Sequence, residues 1–189
     1  EVQIKHFLDS LSLITTGLIK NDMRLIDIGC GAGFPSMPLK IYNETLKITM
    51  LDGLAKRINF LKETAEILKL TNIEFIHGRA EELSHNNVHR EAYDIATARG
   101  VANMSALCEY ALPFVKVGGY FLAMKGPDVE GEVNDAKNAI GTLGGKLVEI
   151  KNVTLPGSDI THSIVIIKKI SQTLPKYPRK QAQISKKPL

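Results

Sequence analysis

Apolar positions follow two rhythms along the chain. Ile4, Phe7, Leu8, Leu11, Ile14, Leu18 and Ile19 recur at helical spacing and predict an amphipathic helix over residues 3–19. His6, Asp9 and Ser10 share its opposite face, which looks either onto a ligand crevice or onto water. After Asn21-Asp22, short apolar runs alternate with longer helical patterns. Strands are predicted at 24–28, 47–51, 73–77, 93–98 and 118–124, and helices at 35–42, 54–69, 103–111 and 128–141. A βαβα series of this kind implies a mostly parallel sheet covered on both faces. Residues 146–153 and 162–169 also read as strands, but the stretch between them, with Pro156-Gly157, is too short for a crossover helix. Those two strands must therefore run antiparallel.

Seven strands, mostly parallel and ending in an antiparallel hairpin, are the α/β layout of the class I, Rossmann-like methyltransferases; nicotinamide-binding domains usually add another parallel unit instead. Three parts are expected: an N-terminal helical segment at 1–20, a catalytic domain at 21–169 and a tail at 170–189. The length of 189 residues, 44% hydrophobic, suits one globular domain with a full core. No apolar run approaches the ~20 residues of a membrane-spanning helix, so no membrane association is expected. Cys30 and Cys108 offer neither metal spacing nor a disulfide framework, which fits a reducing cytoplasm. Net charge is +4, yet residues 168–189 hold seven Lys or Arg and no acid, leaving the other 167 residues at −3. A basic strip beside a weakly acidic body suggests a polyanionic partner, although such tails are often only solvated.

Residues 25–28 run as a strand into Gly29-Cys30-Gly31-Ala32-Gly33, after which Phe34-Pro35 opens a helix. A dinucleotide fingerprint, G-x-G-x-x-G, would need glycine where Phe34 stands. The observed G-x-G-x-G, with Asp27 two residues ahead, matches instead a loop that holds S-adenosyl-L-methionine, which has no pyrophosphate to place on the helix N-terminus. The second strand ends in Asp52, 23 residues after Gly29, where a carboxylate can accept from both ribose hydroxyls. Cofactor-binding candidates are therefore Gly29, Gly31, Gly33 and Asp52, joined by Ala80 and Glu81 at the third strand's end, where the acid could accept from the adenine amine. The plainer alternative is that Glu81 and Glu82 merely start a helix.

The end of the fourth strand, Thr97-Ala98-Arg99-Gly100, lacks the Asn or Asp followed by Pro-Pro and an aromatic residue that amino-directed nucleic-acid methyltransferases carry. Both cysteines read as packing residues, so thiolate-assisted attack at a pyrimidine carbon finds no nucleophile. A guanine N7 lone pair needs no proton removed, and its methylation reduces to alignment and desolvation. No catalytic acid or base is expected; Arg99 and Lys125 are candidates to position the base or a phosphate, with a structural ion pair as the alternative for each. His77, His85, His89 and His162 lack partners at metal spacing, and no metal is expected.

The residues Lys5 to Leu11, Asp27 to Pro35, His77 to Glu82, Arg99-Gly100-Val101-Ala102, Lys125-Gly126 and Lys176-Tyr177-Pro178-Arg179-Lys180 together resemble the bacterial small-subunit ribosomal RNA methyltransferase G family, also called glucose-inhibited division protein B. The resemblance spans nearly the whole chain. It implies N7 methylation of a guanosine in the decoding-region loop of 16S ribosomal RNA, with S-adenosylmethionine as donor, an activity whose loss in the family is tied to low-level streptomycin resistance. It implies cofactor contacts at Gly29, Phe34, Ala80, Glu81 and Arg99. Family members usually read Arg-Ala-Val-Ala and Pro-Gly-Ile-Pro where this chain has Arg99-Gly100-Val101-Ala102 and Pro35-Ser36-Met37-Pro38, and a Gly and Pro follow their Arg-Lys. They also begin with further helices before the segment at His6, so a longer N-terminus than Glu1 is expected.

The expectation is thus a cytoplasmic, monomeric enzyme acting on 16S ribosomal RNA or the small-subunit particle, with Lys125, Lys176, Arg179, Lys180, Lys186 and Lys187 as RNA-binding candidates. A small-molecule methyltransferase and a non-catalytic RNA-binding or assembly factor are the competing readings. Deleting the tail should separate the first of these, because a compact substrate has no use for Arg179 and Lys180.

Overall fold

The computed structural model describes the backbone of residues 3–189 and the side chains from His6 onward. Seven strands form one sheet: β1 (Arg24–Ile28), β2 (Lys47–Asp52), β3 (Ile73–His77), β4 (Tyr93–Arg99), β5 (Val115–Lys125), β6 (Gly145–Thr154) and β7 (Thr161–Lys169), in the order β3-β2-β1-β4-β5-β7-β6. Strands β1 to β5 run parallel, and β7 lies antiparallel between β5 and β6. In chain order the α-helices are α1 (Asp9–Leu11), α2 (Ser36–Tyr42), α3 (Ala55–Ile67), α4 (Ala80–Leu83), α5 (Met104–Ala111), α6 (Glu130–Asp135), α7 (Lys137–Thr142) and α8 (Gln181–Lys186).

Alternation along each strand divides the core into two layers. On β1, Ile26 and Ile28 join Met104 and Leu107 of α5 and Val133 and Ala139 of α6 and α7. Leu25 points the other way, to Leu39 of α2, Ile58 and Leu61 of α3, and Leu13 of the N-terminal segment. The sheet grows to one side of β1 through β2 and β3, then resumes on the other side with β4. That reversal opens a crevice beyond the carboxyl ends of β1 and β4, the usual ligand position in open α/β sheets.

Three elements depart from the sequence expectation. Residues 3–19 do not form one regular helix: Gln3–Leu8 wind as a π-helix, α1 adds one turn, Ser12–Thr16 tighten into a 3₁₀-helix, and Gly17 closes the run at φ +69°. Local side-chain competition accounts for the tightening, since Ser12, Thr15 and Thr16 hydroxyls each donate to the carbonyl three residues back. The helix expected at 128–141 is split at Ala136, although Val133, Ala136, Ala139 and Ile140 still present one buried face. Finally, β5 extends from Val115 to Lys125, beyond the predicted 118–124.

The basic C-terminal stretch packs onto the body. Ile184 of α8 is fully buried and Tyr177 nearly so. The Arg90 guanidinium donates to the carbonyls of Thr173 at 2.8 Å and Tyr177 at 3.0 Å, and the Arg179 guanidinium grips buried Glu109 of α5.

Candidate active site

At the end of β1 the chain turns sharply across β2. Gly29 and Cys30 N–H groups donate to the Leu51 carbonyl at 2.8 and 3.1 Å, and the Gly31 N–H donates to Asp52 Oδ2 at 2.9 Å. Gly29 has φ +68°, and a Cβ there would meet Val101 Cγ2 at 2.8 Å, so backbone conformation and space both require glycine. Gly33, at φ +95°, lies where a Cβ would come within 2.5 Å of Met37 Cγ and 2.7 Å of Leu61 Cδ2. Its role is close packing of the loop on α2 and α3. Gly33→Ala is expected to lower stability by about 1–3 kcal/mol through overpacking, read as a lower urea midpoint; an unchanged midpoint would mean the loop can shift freely.

A cavity of about 350 Å³ opens beside this loop. Gly29, Asp52, Ala80, Glu81, Tyr110 and Ser185 are among its lining residues. The structure thus gathers four of the predicted cofactor residues, Gly29, Asp52, Ala80 and Glu81, around one space. Asp52 is almost fully buried, its Oδ1 accepting from the Leu54 N–H at 2.9 Å and its Oδ2 from Gly31 and, at 3.3 Å, from Arg57. It therefore fastens the glycine loop while its edge lines the cavity.

The other predicted residues lie elsewhere. Gly31 and Gly33 do not line this cavity; the first contributes its N–H to Asp52 and the second packs. The Phe34 ring sits instead against the N-terminal segment, with His6 and Phe7 at centroid distances of 5.2 Å and the Arg99 guanidinium 5.3 Å from its centre. The polar face of that segment thus meets the glycine loop and the end of β4. Arg99 pairs with Asp9 at 3.0 Å, and Lys125 with Glu132 at 2.7 Å while donating to the Ala102 carbonyl at 2.9 Å. Lys176, Lys180, Lys186 and Lys187 are exposed, whereas the guanidinium of Arg179 is committed to Glu109.

Burial shifts several titrating groups. Both thiols are pushed far above their usual range by desolvation, which makes Cys30 and Cys108 inert packing groups. Desolvation also raises the Asp27 carboxyl to about 7, against the lowering effect of the Ser36 hydroxyl that donates to its Oδ2. Asp27 Oδ1 is buried without a hydrogen-bond partner among the described residues, directly behind the glycine loop. Asp27 keeps its proton in the folded chain up to about pH 7 and loses it near 3.8 when unfolded, so stability falls as pH rises between those values and levels above them. Asp27→Asn should remove that slope, at most roughly 1.4 kcal/mol per pH unit, in calorimetric melts from pH 4 to 8; an unaltered slope would place the titration elsewhere.

Tyr110, Ser185 and Arg57 went unnoticed in the sequence. Arg57 carried the one available signal, a cation five residues after Asp52 at the start of a helix; Tyr110 and Ser185 reach the cavity only through tertiary packing.

Strand order, the glycine turn and a carboxylate at the end of β2 define the class I methyltransferase fold. Solved structures bear this out. TrmN from Thermus thermophilus superposes with a TM-score of 0.65 at 16% identity, covering 85% of this chain and 48% of that one. The structure of M. jannaschii TYW2 in complex with AdoMet gives a TM-score of 0.64 at 16% identity over 86% of this chain and 77% of its own. Sequence comparison is sharper: residues 1–161 match the family model described as rRNA small subunit methyltransferase G. Proteins named ribosomal RNA small subunit methyltransferase G are 56% identical in Alkaliphilus metalliredigens and 51% identical in Lactobacillus acidophilus. Those alignments cover all of this chain and 79% and 80% of the relatives. The chain belongs to the rRNA small subunit methyltransferase G family, as its motifs indicated.

Proposed function

We propose that this protein transfers a methyl group from S-adenosylmethionine to N7 of a guanine in 16S ribosomal RNA, acting as a cytoplasmic monomer. The observation that carries the cofactor assignment is the convergence of Gly29, Asp52, Ala80 and Glu81 on one cavity beyond the carboxyl ends of the strands. The donor set suits an adenosine ligand: a buried carboxylate at the end of β2 for the ribose, a second carboxylate at Glu81 for an amino donor, and a glycine turn without side chains. When bound, S-adenosylmethionine supplies an electrophilic sulfonium methyl. Asp52 would hold the sugar, Glu81 with the Ala80 backbone the base, and the walls of Val101 and Ala106 exclude water.

A guanine N7 presents its lone pair without a proton to shed, so the chain's task is alignment rather than general-base catalysis. Cys30 and Cys108, buried with raised thiols, supply no nucleophile for attack at a pyrimidine carbon. Lys176, Lys180, Lys186 and Lys187 form an exposed cationic surface suited to phosphates, and binding through it should weaken steeply with salt. Arg179 contributes by fixing that surface to α5.

The test is methyl incorporation into small-subunit RNA by purified protein, with the product cleaved chemically at 7-methylguanosine. Cleavage at one position is expected; label on an exocyclic amine or a pyrimidine carbon would refute the N7 assignment. Tail deletion does not discriminate a small-molecule substrate, because Ser185 and Ile184 line the main cavity. Replacing Lys180, Lys186 and Lys187 by Gln does: RNA methylation should fall while cofactor affinity holds.

A further inference from the structure

Across the turn that follows β4 lies a second cavity, of about 330 Å³, lined by Asp9, Arg99, Lys125, Glu132 and His162 among others. It is a built polar site. His162 is 7% exposed, its Nε2 lies 3.0 Å from the Ser12 hydroxyl, and its Nδ1 has no hydrogen-bond partner among the described residues although Asp9 Oδ1 is 3.1 Å away. The main cavity reaches Val101 and Ala102 on the same turn, so the two spaces flank one loop.

The two carboxylates here differ in spare capacity. A carboxylate oxygen has two lone pairs. Glu132 Oε1 already takes the Met104 N–H at 2.6 Å and Lys125 Nζ at 2.7 Å. Among the described residues Asp9 Oδ2 takes Arg99, at 3.0 Å, and Asp9 Oδ1 has the His162 Nδ1 3.1 Å away without an aligned hydrogen bond from it, which leaves a lone pair on each oxygen. Asp9 can therefore receive two neighbouring donors, one on each oxygen, while Glu132 has one oxygen spent. Beside Asp9, the Arg99 guanidinium offers N–H groups beyond the one Asp9 uses.

Two adjacent acceptors next to a donor complement a single nucleobase edge. Guanine carries adjacent donors, the N1–H and the 2-amino group, next to the acceptor O6. Adenine and cytosine place a ring acceptor where the first donor must be, and uracil has one donor between two acceptors. We infer that the second cavity receives the target base and that Asp9 selects guanine by accepting from its N1–H and 2-amino group, with Arg99 donating to O6. N7 lies beyond O6, off this edge, and stays free to react. The inference deepens the guanine-N7 reading and rests on it. Lys125, held by Glu132 and the Ala102 carbonyl, shapes the opposite wall.

Inosine, which keeps N1–H, O6 and N7 but lacks the 2-amino group, is the probe. Placed at the mapped target position in the RNA substrate, it should lower kcat/KM by roughly 10- to 100-fold with the wild-type protein, the range for one hydrogen bond to a charged group. In Asp9→Asn the guanosine-to-inosine ratio should shrink to about threefold or less, whereas Glu132→Gln should keep it. Affinity for S-adenosylhomocysteine and the melting midpoint separate a folding defect from lost discrimination. Equal rates on guanosine and inosine in the wild type, an unchanged ratio in Asp9→Asn, or loss of the ratio in Glu132→Gln would each overturn the assignment. Wild-type protein that methylates no guanosine in small-subunit RNA overturns the underlying reading as well; transfer without discrimination overturns this inference alone.

Discussion

Arg179→Ala should cost about 3–5 kcal/mol, the usual penalty for stripping one partner from a buried ion pair. Glu109 is fully buried, and its Oε1 accepts from the Arg179 backbone N–H at 2.7 Å and from Nε at 2.9 Å while Oε2 accepts from Nη2 at 2.7 Å. Removing the guanidinium leaves a carboxylate with one remaining donor and no counter-charge among the described residues. At roughly 2–4 °C per kcal/mol for a domain of this size, the melting midpoint should drop by about 6–20 °C. The double variant Glu109→Leu with Arg179→Met should recover much of the loss, because no charge is then left buried. A single-variant drop below about 2 °C, outside that range, would show that the carboxylate finds water or another donor.

Asp52→Ala should weaken S-adenosylhomocysteine binding by about 100-fold or more, measured by calorimetry, since hydrogen bonds to a charged acceptor are worth about 1.5–3 kcal/mol each. Two effects combine: the ribose would lose the acceptor proposed for it, and the N–H groups of Gly31 and Leu54 lose theirs, freeing the glycine loop. Arg57→Ala separates them, because it removes only the exposed flank of the carboxylate and should change affinity by less than about threefold, as surface pairs contribute little. RNA affinity without cofactor should stay near the wild-type value in Asp52→Ala. Weakened RNA binding with intact cofactor binding would remove Asp52 from the ribose role.

The sheet was legible wherever an apolar run ended in a glycine or polar turn, because burial on both faces imposes that pattern locally. Strand β1 falls at its predicted residues for this reason, whereas the half-exposed edge strand β3 does so through its apolar Ile73, Phe75 and Ile76 alone. The insertion of β7 between β5 and β6 was not readable, since only long-range pairing decides it. At residues 3–16 both the helix type and the buried face departed from the apolar period: Ser10 and Ser12 are buried while Phe7 and Leu8 are exposed, and serine and threonine hydroxyls decide which carbonyls the backbone N–H groups reach. In the tail the charge run drew attention from Tyr177 and Ile184, the two apolar anchors that make it part of the body. Gly29, Asp52, Ala80 and Glu81 could be placed around one space from the sequence because each stands at or just after a strand end, where topology fixes position. Phe34 shows the limit of that logic: one residue past the loop's last glycine, its ring turns to His6 and Arg99 instead of the main cavity.

Ile184 and Ser185 close a cavity whose floor was laid down more than 100 residues earlier, at Gly29 and Asp52. During synthesis every strand of the sheet therefore emerges before the cavity can be walled. A chain interrupted after Lys169 would possess the complete sheet yet offer the methyl donor only an open shelf. Completion of this cavity wall is thus a late event in the chain's biogenesis, reserved for molecules in which the segment beyond the last strand has already docked.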